Sequence, residues 1–110
     1  MAITPKPLFQ VVPGNALATK VYRPAADVTV RLESIIFLNR DSVSRNISIY
    51  HDIDGEVFDT STLIELDKAV AAGLRYVFSE PLLLDENGAL GILVETANII
   101  NVVGYGWVDE

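Results

Sequence analysis

The sequence predicts an all-β domain: an antiparallel, jelly-roll-like β-sandwich of about eight short strands with an extended N-terminal arm. Three observations lead there. Apolar and polar residues alternate with a period of two through residues 28–34 and 46–52, and Asp54-Gly55 and Asn87-Gly88 are strong turn signals. No stretch keeps helical spacing for enough turns to stand alone. The chain of 110 residues suffices for one core, which divides it into an arm at residues 1–13 and a sandwich domain at residues 14–110.

In the arm, Pro5, Pro7 and Pro13 fix φ and remove backbone donors, so the segment is extended and unsuited to a central strand. Leu8, Phe9, Val11 and Val12 are too apolar for a solvated tail. The arm therefore lies against its own domain, as an edge strand, or against a neighbouring subunit, with Pro5, Pro7, Leu8 and Phe9 as the contact residues.

A short strand at residues 16–22 ends in the turn Arg23-Pro24-Ala25-Ala26-Asp27, and a long strand follows at 28–39. Strict alternation places Val28, Val30, Leu32, Ser34, Ile36 and Leu38 on one face and Thr29, Arg31, Glu33, Ile35, Phe37 and Asn39 on the other. From residue 35 to 38 both faces are apolar, which calls for a second sheet on one side and a loop or partner subunit on the other. Residues 46–52 form the next strand, and Asp54-Gly55 suits a tight hairpin whose return begins at Val57 and Phe58. Residues 63–70 fit either period. A strand is preferred there, because Ser61-Thr62-Leu63-Ile64 is β-branched and apolar and Gly73 would end a helix too soon. Further strands are expected at 74–78, at 82–84, at 89–96 after a second hairpin turn at Glu86-Asn87-Gly88, and at 99–108.

Composition narrows the function. With 15 acidic against 8 basic residues the net charge is −7, opposed to a phosphate backbone, so no nucleic-acid partner is expected. No apolar run approaches the ~20 residues of a membrane span. The chain has no cysteine, hence no disulfide, thiolate metal site or thiol nucleophile. Its one histidine, His51, stands beside Asp52 on a strand, where neighbours point to opposite faces, and no nucleophile elbow accompanies Ser61 or Thr62. No catalytic residue, cofactor or metal is assigned. Asp52, Asp54, Glu56 and Asp59 around Gly55 resemble a calcium loop only in part, and a solvated hairpin tip accounts for the same residues. Tyr105 and Trp107 share one strand face, suited to the core, to a subunit contact or to stacking on a sugar ring, while Gly104 and Gly106 leave a flat strip for a ring or a backbone. Ile35, Phe37, Tyr105 and Trp107 make up the expected oligomer or ligand face.

The run of a short strand, the Tyr22-Arg23-Pro24-Ala25-Ala26 turn and a long strand ending Phe37-Leu38-Asn39-Arg40 resembles the opening of small β-sandwich virion proteins of tailed bacteriophages. The alternating strand at 46–51, the Ala71-Ala72-Gly73 turn, Pro81-Leu82-Leu83-Leu84 and the closing strand at 101–107 extend the likeness. The resemblance implies a structural role on the particle, as a capsid decoration or cement protein or a head-fibre or tail component. It implies a partner in the major capsid protein or another virion protein, assembly in the host cytoplasm and residence in the virion. Self-association as a symmetric oligomer, with a trimer favoured, would bury the apolar surplus. The alternative is a receptor- or carbohydrate-binding module of a tail or fibre.

Overall fold

The computed structural model describes residues 3–110, which form nine strands. These are β1 (Ile3–Val11), β2 (Thr19–Tyr22), β3 (Thr29–Asn39), β4 (Arg45–Asp52), β5 (Leu63–Val70), β6 (Arg75–Phe78), β7 (Leu82–Leu84), β8 (Ala89–Val94) and β9 (Ile100–Asp109). They build two antiparallel sheets: a five-stranded one in the order β1-β9-β3-β6 with β7 also on β3, and a four-stranded one in the order β2-β8-β4-β5. The pairings nest. β1 meets β9, β2 meets β8, β3 meets β6 and β7, and β4 meets β5, so the two halves of the chain run together like the arms of one long hairpin closed at residues 53–62. Rolling that hairpin brings β9 onto β3 and β8 onto β4 and stacks the sheets.

The core lies between the sheets, where Val30, Leu32, Ile35, Phe37, Ile47, Ile49, Leu90, Ile92, Val94, Ile100 and Val102 are buried. The inward set on β3 changes parity. Val30 and Leu32 point in, a bulge falls between Leu32 and Ser34, and Ile35, Phe37 and Asn39 point in beyond it. One extra residue in the strand reverses every side chain after it, which is why both apparent faces of residues 35–38 are apolar. Asn39 is buried but fully engaged: its Nδ2 donates to the carbonyls of Val43 and Val70, both at 2.9 Å, and its Oδ1 accepts from the Asp41 N–H.

The segment expected as an arm is extended, and its described part, residues 3–11, is an edge strand of the chain's own five-stranded sheet, paired along β9. Residues 1 and 2 of that segment lie outside the described residues. Leu8 and Phe9 pack against the core of the same chain, Phe9 stacking on Tyr22 with ring centroids 5.8 Å apart.

Both turn signals behave differently from the tight hairpins they imply. β4 and β5 are joined through residues 53–62, and Val57 and Phe58 lie within that loop, not in a strand. Asn87-Gly88 joins β7 of one sheet to β8 of the other. Gly88 is required there by proximity: a Cβ would fall 2.2 Å from the Asp52 carbonyl oxygen.

Candidate functional site

The two outer faces of the sandwich are finished in different ways. On the four-stranded sheet, Tyr50 stands beside Gly91 on the outer side, and Phe58 from the 53–62 loop lies over both. A Cβ at Gly91 would sit 2.7 Å from the Phe58 ring, so glycine makes the seat. The loop is tied down by its carboxylates. Glu56 accepts from Arg23 at 2.7 Å and Lys20 at 3.3 Å, Asp52 accepts from the Asp54 and Val57 N–H groups, and Asp59 accepts from the N–H and hydroxyl of Ser61. These bonds favour the ionised forms and hold all three groups below the ordinary carboxylate range. The acidic cluster is therefore the fastening of a loop, and among the described residues no three His, Asp or Glu side chains converge as a metal site. Burial lowers the His51 pKa; its N–H donates to the Thr62 carbonyl at 2.8 Å.

The five-stranded sheet has no such cover. Its outer face carries Tyr105 and Trp107 from β9, flanked by Pro5 and Pro7 from β1 and by Ile36 and Leu38 from β3, with Val77 and Leu83 beyond. Tyr105 is 41% exposed, Trp107 39%, Val77 49% and Leu83 71%. Contiguous apolar exposure of this kind marks contact surfaces, unlike single scattered side chains. A cleft of about 380 Å³ opens on it, lined by Thr29, Arg31, Leu83, Trp107 and Asp109.

The glycines of β9 explain how the face is built. Gly104 and Gly106 point inward, opposite Tyr105 and Trp107; a Cβ on Gly104 would lie 2.3 Å from the Phe9 ring, and one on Gly106 2.3 Å from the Arg31 carbonyl oxygen at the β3 bulge. The flat strip thus receives both a ring and a backbone, and aromatics are left to the outer side.

Two of the four expected face residues belong elsewhere. Ile35 and Phe37 are wholly buried between the sheets, because the bulge before Ser34 turned them inward, and Ile36 and Leu38 take their place beside Tyr105 and Trp107. Of the four expected arm contacts, Leu8 and Phe9 are spent on the chain's own core, while Pro5 and Pro7 stand exposed. Leu83 and Val77 were legible only as strand residues, since their side of the sheet depends on pairing with β3.

The sheet edges are poor sites for adding another strand. A proline cannot donate to a ladder, so Pro5 and Pro7 leave the β1 edge without donors at two outward positions. β2 spans four residues, β5 is bulged and carries Asp67 at φ 45°, and β6 and β7 are short and separated by Pro81. Association is left to the faces. Among the described residues no helix is long and apolar enough to cross a membrane. No protein-family model matches the chain, and no curated protein matches it.

Proposed function

We propose that the chain is a structural protein of a phage virion, of the capsid-decoration type, which works as a symmetric oligomer and uses the outer face of its five-stranded sheet for assembly. The observation that carries this reading is the contrast between the two outer faces: the chain covers one with its own 53–62 loop and leaves Trp107, Tyr105, Leu83 and Val77 exposed on the other. The nested strand order supports a jelly roll, an architecture used by viral capsid domains. In this reading Pro5 and Pro7, at the border of the face, are what remains of the arm's contact with a partner. A small module repeated over a capsid gains occupancy from many linked contacts and stabilises the assembled shell because it binds that state.

Co-sedimentation with empty phage particles tests the proposal. Saturable binding that Trp107→Asp abolishes while the domain stays folded is expected; no binding, or binding indifferent to Trp107→Asp, refutes it. The second reading, a carbohydrate- or receptor-binding module, is favoured by the cleft in which Trp107 stands beside Arg31, Asp109 and Thr29, an aromatic platform with hydrogen-bonding neighbours. Glycan-array binding lost on Trp107→Ala would move the assignment there.

A further inference from the structure

The occupant of the bare face can be read from its layout, taking as given that the face serves assembly. We infer that a second copy of the chain packs on it face to face, about a two-fold axis that lies in the interface and crosses the strands.

Three observations carry this. The first is charge. The outer side holds Arg31 bonded to Glu33, Asp109 near one end and Arg75 at the other, two basic and two acidic groups that cancel. The net charge of −7 therefore resides on the rest of the chain, and copies repel least through this face. The second is polarity along the strands. Asp109 pairs with Thr29 at one end, and Arg75 pairs with Leu38 at the other, with the apolar residues between. A two-fold axis across the strands reverses the second copy, so each acidic end lies over the partner's basic end. The axis follows the row of Pro7, Tyr105 and Ser34, and the row of Trp107 and Leu83 falls on the partner's row of Val103 and Val77, apolar upon apolar. The third is size. Four strands at ~4.8 Å spacing and ~10 residues at ~3.3 Å give a footprint of ~600 Å². That approaches the ~800 Å² per partner of a standard interface, with an apolar centre and charged margins.

The absence of cysteine makes a direct test available. Tyr105→Cys places a single thiol on the axis row, and mild oxidation should link most of the protein as a disulfide dimer, whereas Val77→Cys, which faces Leu83 of the partner and not itself, should stay unlinked. Should Tyr105→Cys fold poorly, Ser34→Cys on the same row takes its place. In sedimentation velocity, Arg75→Glu and Asp109→Arg should each weaken the dimer about tenfold and their combination should restore it. A monomer at every concentration, a trimer, or equal linking by both thiols overturns the inference. A monomer that still co-sediments with particles overturns the second copy and leaves the proposed function standing. A dimer indifferent to particles supports the second copy and refutes the virion role.

Discussion

Gly104→Ala should destabilise the domain through one identifiable contact. The new methyl carbon would lie 2.3, 2.5 and 2.9 Å from three carbons of the Phe9 ring, where carbon atoms pack best at ~3.5–4.0 Å. The ring must retreat by about 1 Å, yet it is stacked on Tyr22 and lies on a strand paired along β9. Overpacking of this kind costs ~1–3 kcal/mol. At roughly 4 °C per kcal/mol for a domain of this size, the melting temperature falls by about 4–12 °C. In a Phe9→Ala background the obstructing ring is gone, and Gly104→Ala should cost below ~0.5 kcal/mol, a coupling of at least ~0.5–2 kcal/mol. Urea denaturation of the four proteins of this cycle measures the coupling. Additive effects within error would mean that Phe9 does not sit on Gly104, and the placement of residues 3–11 along β9 would fall with it.

The parity change in β3 is checked by charge. Ile35→Asp should prevent folding, since it buries a carboxylate without a partner, whereas Ile36→Asp should fold with a loss of ~1–2 kcal/mol; the opposite ranking would restore strict alternation through the strand. Asn39→Leu should cost ~1–3 kcal/mol by leaving the buried Val70 carbonyl without its donor, and a loss under ~0.5 kcal/mol would contradict the assigned bonds. Acid should loosen the 53–62 loop. Asp52, Glu56 and Asp59 have folded pKa values below their ordinary 3.8 and 4.5, so their stabilisation is full above those values and lost as the pH falls through them. His51, held neutral by burial, adds a loss of the same sign below 6.5. Hydrogen exchange at pH 3.5, corrected for intrinsic rates, should show the loop less protected relative to β3 than at pH 7, and an unchanged ratio would count against the carboxylate fastening.

The strands were legible because sequence periodicity records burial. Residues 63–70 form a strand although their spacing also fitted a helix, and the β-branched lead-in and early Gly73 pointed the right way. A bulge has no residue signature, and Glu33-Ser34 reads like any polar pair, so the inward set of residues 35–38 could not be chosen when both sets were apolar. Asp54-Gly55 and Asn87-Gly88 misled for a related reason. Glycine serves turns needing positive φ and also close approaches, and Gly88 is of the second sort, which only the fold reveals. Tyr105 and Trp107 could be paired on one face from spacing alone, but which face, and that the 53–62 loop covers the other sheet instead, depends on contacts between residues distant in the chain.

The central claim is that the outer face of the five-stranded sheet is covered when the protein works. Trp107 is the only tryptophan and stands on that face, so its fluorescence reports on the claim without any label. Emission should shift to shorter wavelength and acrylamide quenching should fall as concentration rises from nanomolar to hundreds of micromolar, or on addition of particles. Emission and quenching that stay constant in both titrations would contradict the account.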